Sequence, residues 1–268
     1  MGGFMTMKFK IGAAVIAGLV AFGASTAVAQ EEEDNTGWSG ELSLSGAAQT
    51  GTQDTLSGTL DAGVERTWEK DKAGVRFTGS YGTSRRLGDD TKQTTQDSQT
   101  LRVDWRRQLH NRFFWESRAS VGRDATQNRK IRTLANTGPG YRLWEGEDAP
   151  KKHFDLSSGI GYRYEVYDGN SNEGGNNTDR DQFVDLALGF EYKNLFFEDK
   201  IEYTHTGAAA VPGNDPKAYL LRTEVILGVP LTSTWSFRTS FLLEYTAEVP
   251  DDVNETLTRT TVGLEYKF

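Results

Sequence analysis

Side chains alternate between apolar and polar with a period of two through most of this chain, in twelve successive stretches. In the first, Trp38, Leu42, Leu44 and Ala48 share one face, while Ser39, Glu41, Ser43 and Ser45 share the other. In the second, Leu56, Leu60, Ala62 and Val64 form the apolar face. A period of two belongs to a strand with one greasy and one wet side. The expected strands are 38–48, 55–68, 74–84, 99–107, 112–123, 130–143, 153–167, 181–192, 196–206, 217–229, 235–246 and 256–268. Most reach the roughly 9–11 residues that a tilted strand needs to cross a bilayer. The stretch 130–143 is the weakest, because Gly138-Pro139-Gly140 interrupts it and proline cannot donate to a ladder. A bulge is expected there.

Mean hydropathy is −0.59, which on averaging alone describes a soluble domain. A barrel with a polar lumen and polar loops, however, needs apolar residues on only half of each strand. The fold class expected is therefore all-β, a transmembrane antiparallel β-barrel of about twelve strands occupying 38–268. Connection lengths agree with it. Short turns fall near 70–72, 110–111, 146–152, 193–194 and 230–234, and longer loops at 85–98, 168–180, 207–216 and 247–255, with modest ones at 51–54 and 124–129. That short-then-long rhythm is what single-chain barrels show. On this topology Trp38, Trp68, Trp105, Trp115, Trp144 and Trp235 lie near the strand ends on the periplasmic side, at headgroup depth, and Tyr81, Tyr203, Tyr219 and Tyr245 near the opposite ends.

Residues 1–29 read as a secretory signal peptide that hands the chain to the secretion machinery. Lys8 and Lys10 precede an uncharged apolar run, and Ala27-Val28-Ala29 offers a small-x-small cleavage pattern. Residues 30–37 are then a short acidic periplasmic segment. Removing Lys8 and Lys10 takes the basic count from 30 to 28 against 38 acidic residues, and the net charge from −8 to −10. Nucleic acid is not expected as a partner, since binding it needs clustered cations. The absence of cysteine excludes disulfides, thiolate nucleophiles and thiolate metal sites.

The polar rows carry charges of both signs. Arg76, Arg102, Asp104, Arg106, Glu116, Arg118, Arg163, Glu165, Arg222, Glu224, Arg238 and Glu244 are expected to line the lumen, together with Glu41, Asp61, Glu65, Asp185, Glu202, Arg259 and Glu265. Such a wall can form a narrow water-filled channel tuned by charged rings, or a lumen closed by arginine–carboxylate pairs. A barrel of this size lies between filled and open examples, so size does not decide. No catalytic residue, metal or cofactor is expected. His110 and His153 fall at periplasmic turns, and His205, placed near the outer rim, has Thr204 and Thr206 as its flanks and no serine partner. Asp168, Asn170 and Asn172 imitate half of a calcium loop, but glycine arrives one place late and the twelfth position is Asp179.

The closing strand ends on Phe268, with Val262, Leu264 and Tyr266 at alternate places before it. This resembles the signal by which outer-membrane barrels are passed to their assembly machinery. Further residues carry a family likeness: Gly37-Trp38-Ser39-Gly40, Gly51-Thr52-Gln53, Gly138-Pro139-Gly140-Tyr141-Arg142, Gly161-Tyr162-Arg163-Tyr164 and Thr260 to Phe268. Across nearly the whole of 38–268 the chain resembles the salt-induced outer membrane proteins, an uncharacterised Gram-negative family with a domain of unknown function. It departs at the first turn, where Thr50-Gly51-Thr52 stands in place of Ser-Gly-Asn. The resemblance implies the Gram-negative outer membrane, reached through the periplasm, with lipid and lipopolysaccharide around the wall. The role expected is a narrow passive pore or an envelope-maintenance protein, and the family label adds only a link to salt or osmotic stress. The alternatives are a closed structural barrel, a barrel binding through its outer loops, and a lipid hydrolase like the twelve-stranded outer-membrane phospholipases.

Overall fold

A computed structural model describes residues 36–49, 53–86, 91–147, 151–167, 180–249 and 255–268. The segments expected as signal peptide and acidic stretch before residue 36, the half calcium loop and much of the first turn lie outside these residues. Twelve antiparallel strands form: β1 Gly37–Gln49, β2 Gln53–Thr67, β3 Asp71–Arg86, β4 Gln93–His110, β5 Phe113–Asp124 and β6 Arg129–Glu145, then β7 His153–Tyr167, β8 Arg180–Phe196, β9 Ile201–Pro212, β10 Leu220–Pro230, β11 Trp235–Thr246 and β12 Thr256–Lys267. Each strand pairs with its sequence neighbours, and β12 returns to β1, so the sheet closes into a barrel. Closure removes every sheet edge, the condition for placing strands in oil. Both described chain ends lie at one rim, here the inner end; the other rim is the outer end.

Strand order and number follow the alternation, but three local expectations do not hold. The loop expected at 85–98 is largely strand, since β3 runs to Arg86 and β4 starts at Gln93, with Thr83 opposite Thr94 across a bulge. Threonines and glutamines there satisfy the ladder although the composition reads as loop, because β-branched polar residues suit a strand that leaves the oil. The turn expected at 193–194 lies instead at Phe197, Glu198 and Asp199, all in left-handed backbone with φ of 55, 58 and 64°. Asn194 remains in β8, where its side chain donates to the Tyr192 hydroxyl and accepts from the Leu195 N–H. In consequence β9 begins at Ile201 and absorbs most of the loop expected at 207–216.

The third departure concerns Gly138-Pro139-Gly140. No register change occurs there: Thr137 faces Ile160 and Gly140 faces Ser157 with pairing to β7 missing only between them. The bulges sit at Arg129/Ile131 and Arg142/Trp144 instead. A Cβ on Gly138 would stand 2.1 Å from the Ser158 carbonyl oxygen, and one on Gly159 2.3 Å from that of Thr137. The glycines let two backbones approach closely, which a proline beside them tolerates because its missing N–H is not asked for on that side.

The two faces of the wall invert the order of a soluble globule. Arg163 and Glu165 are 1% exposed, whereas Leu44 and Ile160 are 67% and 69% exposed. Soluble proteins bury the aliphatic residues and leave the charged ones in water. Here oil must be outside and water or ion pairs within. No helix among the described residues is long and apolar enough to cross a membrane. All six tryptophans lie toward the inner end, and Arg66 stacks 5.1 Å over both Trp38 and Trp68. Tyr203 departs from its expected outer position, because the shift of β9 brings it to the inner end beside Tyr192 and Phe196. Tyr219 and Tyr245 pair at the outer end, 5.8 Å apart.

Candidate functional site: the charged lumen

Partners on strands that are not neighbours show which side chains meet inside the barrel. Near the inner end, Arg106 of β4 donates to Asp155 of β7 at 2.7 Å and to Glu116 of β5 at 2.8 Å. Arg142 also holds Asp155 at 2.8 Å, and Arg118 reaches Glu116 at 2.8 Å and Asp104 at 3.5 Å. Arg238 pairs with Glu265 at 2.8 Å, and Lys267 of β12 joins Glu202 of β9. Planar guanidinium forks bridging two carboxylates hold the lower wall in one arrangement.

Toward the outer end the interior dries. Arg132 of β6 donates to Glu165 of β7 and, across the barrel, to Glu244 of β11, with side chains 8%, 2% and 8% exposed. Arg132 also donates to the Thr246 hydroxyl at 3.3 Å, and Arg129 lies 3.6 Å from Glu244. Beside this bridge, Arg163 donates to the carbonyl of Ala218, in the connection between β9 and β10, and lies 3.5 Å from Asp185. Ala218 is itself buried. The connection 213–219 therefore folds inward, and it narrows the outer mouth together with the Arg132 bridge.

Between these layers the wall stays wetter. The side chains of Arg76, Arg118 and Arg222 keep 36%, 32% and 35% of their surface. Arg76 pairs with Glu41 and lies 3.4 Å from Asp61; Arg222 lies 3.4 Å from Glu224 and 3.6 Å from Glu244. Arg102 faces Arg76 directly across the β3–β4 ladder.

Of the residues expected to line the lumen, Arg106, Glu116 and Asp104 come together in the lower network and Glu165 and Glu244 in the upper one, while Arg118 and Arg222 reach from the wetter middle to Glu116 and Glu244. Arg76, Arg102 and Glu224 lie between, Arg238 joins Glu265, and Arg163 holds the inward loop. Sequence reasoning missed Arg132, Arg142, Asp155 and Glu191. Parity could have found Asp155 and Glu191, which share a face with Arg163 and Asp185 at even spacing; Arg132 and Arg142 lie next to the bulges that break the count in β6.

Two other places carry chemistry-bearing groups. His153, Asp155 and Glu191 bring ligand atoms within 4.8 Å of one another, with His153 Nε2 2.9 Å from Glu191. A divalent ion there would have to displace Arg106 and Arg142 from Asp155 and Lys193 from Glu191. His205 was expected at the outer rim, but the register of β9 puts it in the inner half, facing outward. Its Nε2 is 2.9 Å from the Thr223 hydroxyl and its ring stands edge-on to Phe190. Its partners Phe190 and Thr223 help line an apolar groove of about 890 Å³ on the outer face of the wall, with Leu156, Leu188, Leu221 and Tyr245.

A family model described as "Protein of unknown function, DUF481" matches residues 42–268. A search of curated proteins finds no match. Among solved structures, the translocator domain of the autotransporter NalP from Neisseria meningitidis is similar over 97% of each chain, with 14% identity and a TM-score of 0.50. The NanC porin gives 13% identity and a TM-score of 0.46 over 85% of this chain and 100% of that one. The KdgM porin, solved with disordered oligogalacturonate, gives 12% and 0.40 over 86% and 99%. At such identities the likeness speaks to the barrel fold.

Proposed function

The chain belongs to the DUF481 family of proteins of unknown function, and we propose that it is a narrow passive pore of the Gram-negative outer membrane. One observation carries this reading: the middle of the lumen keeps arginines about a third exposed inside a wall whose other face is aliphatic. Wet charged rings within an apolar sleeve are how selective pores are built. The apolar face meets lipid and lipopolysaccharide, the strand ending in Val262, Leu264, Tyr266 and Phe268 is what the barrel-assembly machinery receives, and 1–29 is what the secretion machinery receives. An envelope role under salt or osmotic stress follows if flow is limited at the outer mouth. Purified protein that migrates as a folded barrel is expected to give small discrete conductance steps in planar bilayers. Silence of the folded protein across salt conditions would rule the pore out.

A second reading, a closed barrel of structural or loop-binding role, is favoured by the dry Arg132–Glu165–Glu244 bridge and the inward loop held by Arg163. It expects no conductance and a loss of salt tolerance when the gene is deleted.

A further inference from the structure

We infer that the middle of the lumen holds an oxyanion-binding site centred on Arg102, taking the carboxylate, sulfate or phosphate group of a small solute. The other lumen arginines have partners: Arg76, Arg106, Arg118, Arg132, Arg222 and Arg238 each reach a carboxylate. Arg102 has neither an ion pair nor a hydrogen bond among the described residues. Its cross-strand neighbours are Arg76 on one side and Ser120 on the other. The carboxylate of Asp104, two residues along, is turned to Arg118 at 3.5 Å. The charged groups acting on Arg102 are Arg222, then Asp104, Arg118 and Arg76, so three cations surround it against one carboxylate. Farther out on the same face of β4, Arg259 reaches across the lumen to Ser98 at 3.1 Å and Ser80 at 3.4 Å, again without a carboxylate.

Like charges directly opposite on a ladder repel, and a guanidinium cannot shed its proton to relieve this. A planar fork with free donors, facing other arginines in a partly wet space, is satisfied by an oxyanion accepting two parallel bonds. The Ser120 hydroxyl opposite can supply a further donor. The site deepens the pore reading as far as solute flow goes, but anion binding itself does not depend on flow.

Two measurements on the full mature barrel separate the claims. In the first, sulfate is exchanged for chloride at constant ionic strength, and thermal unfolding in detergent is followed. Wild type is expected to gain Tm with sulfate, and Arg102→Gln to lose that gain while unfolding no lower in chloride, since it removes the repulsion with Arg76. Arg102→Lys, which keeps the charge but not the fork, is expected to show a reduced gain. In the second, bilayer currents under a KCl gradient are expected to show the chloride-to-potassium permeability ratio falling about fivefold in Arg102→Gln, the factor equivalent to about 1 kcal/mol for a unit charge a few ångströms away in water. An equal sulfate response in wild type and Arg102→Gln overturns the site. A silent bilayer with the sulfate response lost only in Arg102→Gln keeps the site and rejects the pore.

Discussion

Gly263→Val is expected to abolish the folded barrel, leaving a protein whose electrophoretic migration no longer depends on heating. The seam between β1 and β12 is where the chain must close on itself, with Glu41 to Ser45 opposite Lys267 to Gly263. A Cβ on Gly263 would stand 2.2 Å from the Leu44 carbonyl oxygen and 2.6 Å from the Ser45 Cα, both fixed backbone. No rotamer relieves such a clash, so the strands must part. Each ladder bond then left open in hydrocarbon costs several kcal/mol. At the inner end of the same seam, the Phe268 ring covers Gly40, whose N–H donates to the Phe268 carbonyl at 2.8 Å and whose carbonyl accepts at 3.0 Å. The obstacle there is the far end of a side chain, so Gly40→Ala is expected to be much milder, displacing the ring while the barrel still closes. Retention of heat-modifiable migration in Gly263→Val would show that the close approach is not what holds the seam.

The second large effect is expected at the outer mouth. Glu244→Ala removes the acceptor that Arg132 reaches across the barrel and that Arg129 and Arg222 also approach. Breaking a buried ion pair from one side leaves an uncompensated charge in a dry site, a loss of about 3–5 kcal/mol. The denaturant midpoint should fall accordingly, and single-channel conductance should rise because the bridge no longer spans the mouth. Replacing the whole bridge, with Arg132→Met, Glu165→Gln and Glu244→Leu together, should recover much of the stability but not the narrow mouth, because neutral side chains of similar volume leave no stranded charge in the dry site. A triple variant as unstable as Glu244→Ala would contradict the ion-pair account.

How much of this was legible without coordinates depended on whether a feature obeys the period of two. Strand number, the two faces and the inner tryptophan belt follow from alternation, as in the Trp38 to Ser45 stretch, because burial on one face fixes register strongly. The turn after β8 was not legible: Lys193-Asn194 has turn chemistry, but the preference is local and yields to pairing of Tyr192 with His205 and Asn194 with Tyr203. Nor was the outer bridge, because Arg132 follows the bulge at Arg129/Ile131 and its partner Glu244 is 112 residues away. Which charges meet across a lumen depends on shear and strand tilt, and a single strand's pattern carries neither. The isolation of Arg102 is equally a property of three strands at once.

The central claim is that one face of each strand meets oil and the other meets a charged, partly wet interior. Because the chain has no cysteine, single nitroxide labels can be placed at successive positions of β4 in lipid vesicles. Labels at Leu101, Val103 and Trp105 are expected to be accessible to oxygen and shielded from an aqueous nickel chelate, with the reverse at Thr100, Arg102 and Asp104. A profile without that alternation, or labels equally open to nickel on both faces, would contradict the account.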